Sequence, residues 1–177
     1  MNRAVFLDRD GVITRAIIRN GKPYAPLSRA DVSLVPGAAD ALDRLRRAGL
    51  LLIVVTNQPD VARGRLSRDE VEAIHAGLRA ELPLDAIQVC YHDDDDECAC
   101  RKPAPGLLYA AAIAHDIALS RSYLVGDQWR DIAAGRRAGC RTILVESGHD
   151  EPVTVEPHAR VADLHCAAAW ILANDRS

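Results

Sequence analysis

Short, mainly apolar runs with little polar alternation recur along this chain: Ala4–Leu7, Leu50–Val55, Ile87–Cys90, Tyr123–Val125 and Thr142–Val145. A strand with one wet face alternates apolar and polar residues, so runs of this kind belong to strands buried on both faces. Between them lie stretches with helical periodicity. Pro36-Gly37 opens one, with Ala38, Ala41, Leu42, Leu45 and Ala48 on one stripe and Gly49 as its stop. Ser67 and Glu70 form a capping box ahead of Val71, Ile74, Leu78 and Leu82, and Pro83 ends that helix. Pro105 starts another through Leu107, Leu108, Ala111 and Ala112, Asp131–Ala138 reads as a further helix stopped by Gly139, and Cys166 lies in a helix pattern. Strands alternating with helices predict an α/β fold with a doubly wound, Rossmann-like parallel sheet over residues 1–177 as one domain. Ligands of such sheets sit at the carboxyl ends of the strands.

Of the 177 residues, 49% are apolar and 27% charged, which is globular and not disordered composition. No apolar run approaches the roughly 20 residues of a membrane helix, and Asp8 interrupts any export signal. The net charge of −3 gives no basic footprint for nucleic acid. A soluble, cytoplasmic protein with no nucleic-acid or membrane partner is therefore expected, most simply a monomer.

Four strand ends carry chemistry. Asp8 and Asp10 in Phe6-Leu7-Asp8-Arg9-Asp10-Gly11 can divide labour as nucleophile and general acid–base, although an Asp- and Gly-rich turn reads similarly. Thr56-Asn57-Gln58 follows the second run, with a hydroxyl suited to a phosphate oxygen or to capping the strand. Lys102, in Arg101-Lys102-Pro103, is a point charge suited to phosphate. Asp127 and Asp131 can hold Mg²⁺ directly and through a supporting contact, and Asp131 equally suits a helix start. Trp129 reads as packing or a loop lid.

Cys90, His92, Cys98 and Cys100 make a Cys₃His set, a common closed zinc site. The intervening Asp93 to Glu97 are all acidic, so loop 90–100 cannot be core and reads as a solvated tip ordered by structural Zn²⁺. Cys140 and Cys166 read as buried thiols.

Taken together, FLDRDG, VVTNQ, CRKPAPG and VGDQWRDI resemble the haloacid dehalogenase superfamily of phosphatases from Asp8 to about Val145. The resemblance implies that Asp8 attacks phosphorus and forms an aspartyl-phosphate, while Asp10 protonates the leaving oxygen and later activates water. It implies Mg²⁺ held by Asp8, the carbonyl of Asp10 and Asp127, with Asp131 in support, and a phosphoryl group held by Thr56 and Lys102. No cap domain fits the 47 residues between Asp8 and Thr56.

The loop before Arg101 is similar to a zinc-containing group of that superfamily. Ala62-Arg63-Gly64 and Arg101 resemble its members that act on heptose bisphosphate, whereas the short loop is closer to its histidinol-phosphate members. The first resemblance implies Mg²⁺-dependent removal of the 7-phosphate from D-glycero-D-manno-heptose 1,7-bisphosphate, a small phosphorylated sugar, with Asn57, Gln58, Arg63 and Arg101 at the substrate. Arg15, Arg19, Lys22, Tyr24 and Arg65 are further candidates for a second phosphate. Histidinol-phosphate hydrolysis is the alternative. A non-catalytic zinc-stabilised binding protein is the reading from another class, although such a protein is expected to have lost at least one of Asp8, Asp10, Lys102 or Asp127, and all are present.

Overall fold

A computed structural model describes residues 1–19, 22–146 and 154–175. The elements run β1 (Ala4–Leu7), β2 (Ile17–Arg19), β3 (Lys22–Tyr24), α1 (Ala38–Arg47), β4 (Leu51–Asn57), α2 (Arg68–Glu81), β5 (Ala86–Cys90), α3 (Gly106–His115), β6 (Tyr123–Gly126), α4 (Trp129–Ala138), β7 (Arg141–Val145), β8 (Ala159–Val161) and α5 (Leu164–Asn174). Six strands form one sheet in the order β5-β4-β1-β6-β7-β8, and every neighbouring pair is parallel. β2 and β3 pair separately as an antiparallel ribbon.

Successive residues of the central strands go to opposite faces, and both faces are covered. Val5, Leu7, Leu52, Val54 and Val125 pack with Leu42 and Leu45 of α1, Ile74 and Leu78 of α2, and Ile171 of α5. Phe6, Ile53, Val55 and Leu124 pack with Leu107 and Leu108 of α3 and Ala134 of α4. Burial on both sides is why these strands show no alternation. A fully buried Leu or Phe here contributes about 1.5–3 kcal/mol relative to exposure.

Helix ends largely follow the sequence. Ser67 Oγ accepts the Glu70 N–H at 3.2 Å and Glu70 accepts the Ser67 N–H at 2.7 Å, closing the expected box. Gly49 and Gly139 take left-handed conformations after α1 and α4. α4, however, begins at Trp129 and not at Asp131: Gln128 is its cap, and Asp131 reaches back to accept the Gln128 N–H at 3.1 Å. β8, for which the sequence shows no strand pattern, and α5, which contains Cys166, complete one edge and one layer. Cys140 is buried as expected, but Cys166 is exposed, because only Leu164, Ala167, Ala168 and Ile171 of α5 face inward.

The chain leaves β1 toward β4 and β5, then returns to the other side of β1 for β6, β7 and β8. This reversal opens a crevice at the carboxyl ends of the central strands. Leu7 is level with Val54 and Val125, so Asp8, Thr56 and Asp127 emerge there together. Between β1 and β4 the described residues hold the β2–β3 ribbon, a 3₁₀ turn at Arg29–Asp31 and α1, and no cap domain. No helix among the described residues is long and apolar enough to cross a membrane.

Candidate active site

Asp8, Asp127 and Asp131 bring one carboxylate oxygen each to within 4.8 Å of one another, and all three residues are buried. Lys102 Nζ enters this group, donating to Asp8 Oδ1 at 2.8 Å and to the Val55 carbonyl at 2.8 Å, with Asp131 Oδ1 at 2.6 Å. Two glycines make the crowding possible. A Cβ at Gly126 would overlap the Asp131 side chain, and one at Gly11, which also has φ +91°, would overlap Asp127.

The electrostatics follow from three acids facing one ammonium. Burial, with the neighbouring Asp131 and Asp10, outweighs Lys102 and raises Asp8 to about 7. Burial and Asp127 likewise raise Asp131 against the pull of Lys102. Burial would lower Lys102, but Asp131 and Asp8 raise it instead, so it stays charged. Three carboxylates that converge as a buried oxygen cluster are the donor set of a hard divalent cation, and the three side chains fit Mg²⁺ on that ground.

Asp10 does not join the cluster with its side chain. Arg9 donates to it bidentately, Nε to Oδ1 at 3.0 Å and Nη2 to Oδ2 at 2.8 Å. Gln58 Nε2 donates to Asp10 Oδ2 at 3.0 Å and Thr14 Oγ1 to Oδ1 at 3.0 Å. Burial alone would raise this carboxyl; the charge of Arg9 and these hydrogen bonds lower it overall.

Asn57 and Gln58, expected at the substrate, are engaged elsewhere. Asn57 donates to the Lys102 carbonyl and accepts the Lys102 N–H, both at 3.0 Å, stapling the lysine backbone to β4. Gln58 bridges Asp10 and the hydroxyl of buried Thr56, to which it donates at 2.9 Å.

Cys90, His92, Cys98 and Cys100 converge as their spacing predicts. Contacts between their donor atoms run from 3.1 to 3.6 Å, near the ~3.7 Å edge of a tetrahedron with ~2.3 Å metal–sulfur bonds. For Cys98, burial opposes ionisation, but hydrogen bonds from the Arg101 backbone and Cys100 prevail and lower the thiol to about 7. A metal site of the Cys₃His type fits these residues.

The acidic tip is not simply solvated. Arg63 Nε and Nη2 grip the two oxygens of Asp93, at 2.7 and 2.5 Å. Asp94 takes Arg101 Nε at 2.9 Å and lies 3.5 Å from Arg63 and 3.6 Å from Arg130. The arginines read as phosphate contacts thus already hold the loop's own carboxylates, a juxtaposition no sequence spacing announces. Arg65 pairs with Asp60 at 3.3 Å, Arg15 is exposed, and the side chains of Arg19 and Lys22 lie outside the described residues. Trp129 is half-buried, with Arg130 5.6 Å above its ring. A cavity of about 290 Å³ lined by Gly11, Arg15, Pro36, Glu146 and Asp163 adjoins the first strand end.

The HAD-hydrolase-like family matches residues 99–167. The chain is 36% identical to the D-glycero-D-manno-heptose-1,7-bisphosphate 7-phosphatase of Thermosynechococcus vestitus over 95% of this chain and 94% of that one. It is 36% identical to the D-glycero-beta-D-manno-heptose-1,7-bisphosphate 7-phosphatase of Pseudomonas putida over 84% and 85%. In three dimensions it resembles the D,D-heptose 1,7-bisphosphate phosphatase of B. bronchiseptica, crystallised with magnesium and phosphate, at a TM-score of 0.80 and 31% identity over 97% and 98%. Identity at this level, spread over nearly the whole of both chains and joined to the same fold, means that the chain belongs to the D-glycero-D-manno-heptose-1,7-bisphosphate 7-phosphatase family of HAD-like hydrolases.

Proposed function

We propose that residues 1–177, with their metal loop at 90–100, form a phosphatase that removes the 7-phosphate of D-glycero-D-manno-heptose 1,7-bisphosphate. The observation that carries this reading is Lys102 Nζ set between Asp8 and Asp131 at the carboxyl end of the sheet, in a chain of this family. A carboxylate Oδ of Asp8 attacks phosphorus, the bond from phosphorus to the sugar oxygen breaks, and Asp10 delivers a proton to that oxygen. Asp10 then takes a proton from water, the water oxygen attacks phosphorus, and the bond to Asp8 breaks to release phosphate and restore the carboxylate. Lys102 and Thr56 hold the phosphoryl oxygens, which concentrates charge stabilisation where phosphoryl transfer needs it. Mg²⁺ would be held by Asp8, the Asp10 carbonyl and Asp127, with Asp131 in support, and would supply the positive charge that lets a phosphate approach these acids. Structural Zn²⁺ would be held by Cys90, His92, Cys98 and Cys100.

Arg63 and Arg101 receive the second phosphate in exchange for Asp93 and Asp94. The chain works as a monomer in a reducing, cytoplasmic setting, where the thiols of the Cys₃His set stay available to a metal.

The test is phosphate release with Mg²⁺ from both anomers of heptose 1,7-bisphosphate and from L-histidinol phosphate. A preference for the bisphosphate of about a hundredfold in kcat/KM is expected, equivalent to about 2.7 kcal/mol of transition-state binding. Preference for histidinol phosphate overturns the substrate assignment. Asp8→Asn is expected to abolish turnover with the fold intact; activity near the parent level overturns the nucleophile.

A further inference from the structure

Arg9 stands between the two catalytic acids in sequence, yet none of its surface reaches solvent. Two of its nitrogens grip Asp10, and the third, Nη1, points the other way to His75 Nε2 at 3.0 Å. His75 lies on α2 and is also fully buried. A guanidinium has only donors, so Nε2 accepts and the imidazole proton sits on Nδ1. Nδ1 makes no hydrogen bond, and Glu72 Oε1 is 3.6 Å from it. Burial and the charge of Arg9 lower His75 to about 4, which keeps the lone pair on Nε2 available. Glu72 in turn accepts the hydroxyl of Tyr91, the residue between Cys90 and His92. A line of contacts therefore runs from Asp10 through Arg9, His75, Glu72 and Tyr91 to the metal loop.

We infer that His75 is a positioning residue for proton transfer: by accepting from Arg9 Nη1 it fixes the guanidinium plane, and through that fork the carboxylate of Asp10. A bidentate fork sets the carboxylate's orientation only as well as the guanidinium is itself held. With nothing accepting behind it, a buried Arg9 donor is left unsatisfied and the fork turns to find a partner. Residues that orient a catalytic group are worth most where the geometry of proton transfer limits the rate.

The inference rests on the reading of Asp10 as proton donor, and the test separates the two. Holoenzyme with Mg²⁺ is assayed on heptose 1,7-bisphosphate, whose leaving alkoxide needs a proton, and on p-nitrophenyl phosphate, whose phenolate leaves without one. His75→Leu removes the acceptor at similar volume; it is expected to lower kcat/KM for the sugar phosphate about tenfold, through kcat, and that for the aryl phosphate less than about threefold. His75→Gln, which keeps an acceptor, is expected to recover most of the loss. Where His75→Leu does not fold, His75→Asn, whose shorter amide withdraws from Arg9, is expected to show the same selective loss. Equal losses on both substrates, no loss, or a Gln variant no better than Leu overturns the positioning role. Asp10→Asn supplies the reference: if it is selective and the His75 variants are not, only the positioning role falls; if it is not selective, the reading of Asp10 falls with it.

Discussion

Replacing Lys102 by Met tests the charge balance of the site most directly. Lys102 is 2% exposed, and its ammonium makes three contacts, at 2.8 Å to Asp8, 2.8 Å to the Val55 carbonyl and 2.6 Å to Asp131. Removing one side of a buried ion pair costs about 3–5 kcal/mol, because the remaining charge is left uncompensated. That cost has an escape: Asp8 is already raised to about 7 by burial and its acidic neighbours, so without Lys102 the acids take up protons. The loss therefore depends on pH. In the variant, Asp8 and Asp131 shift further above their unfolded values, so above the unfolded carboxylate range the folded state holds protons that the unfolded state has released. Stability then falls as pH rises, more steeply than in the parent.

Urea unfolding of metal-free protein, followed by circular dichroism, is expected to show a small deficit near pH 5 that grows to about 3 kcal/mol near pH 8. With Mg²⁺ present, kcat is expected to fall about 10²–10³-fold, the usual effect of losing one preorganised electrostatic group. A variant as stable as the parent at pH 8, or one whose deficit does not change with pH, would refute the argument that buried carboxylates depend on this lysine.

Three further outcomes are expected. Stripping the Cys₃His metal with a chelator lowers the melting temperature and leaves the Mg²⁺ dependence of the residual activity in place; an unchanged melting temperature removes the structural role of that loop. Asp94→Asn frees Arg101 and Arg130, so KM for the bisphosphate falls several-fold while that for p-nitrophenyl phosphate is unchanged, and a rise in KM contradicts the exchange of carboxylate for phosphate. His75, held near 4 against 6.5 unfolded, remains neutral where the unfolded chain binds a proton, so it costs the fold up to about 3 kcal/mol as pH falls from about 6.5 to 4. His75→Gln is expected to flatten that part of the stability curve, and parallel curves for parent and variant would deny the titration.

The sheet was legible because parallel strands buried on both faces must be nearly continuous apolar runs, and Asp8, Thr56 and Asp127 mark where those runs give way to polar residues. Ser67 with Glu70, Gly49 and Gly139 marked helix ends because caps are local chemistry. The early start of α4 was hidden because Gln128 caps through a reciprocal contact with Asp131, outside the usual Ser, Thr, Asp and Asn signal. β8 has three half-buried or exposed residues and no periodicity to read.

The sequence by itself determined the α/β class, the four motif positions and the Cys₃His set, because each depends on residues close together in the chain or on the ends of recognisable strands. Only the tertiary structure decided what those residues touch. Arg9 meets His75 across 66 positions, and Arg63 meets Asp93 across 30. It also showed Asn57 and Gln58, expected at the substrate, bonded to Lys102, Thr56 and Asp10. The physical reason is that hydrogen bonds and ion pairs form wherever packing brings donors and acceptors within about 3 Å, and that packing is fixed by the whole core and not by local spacing.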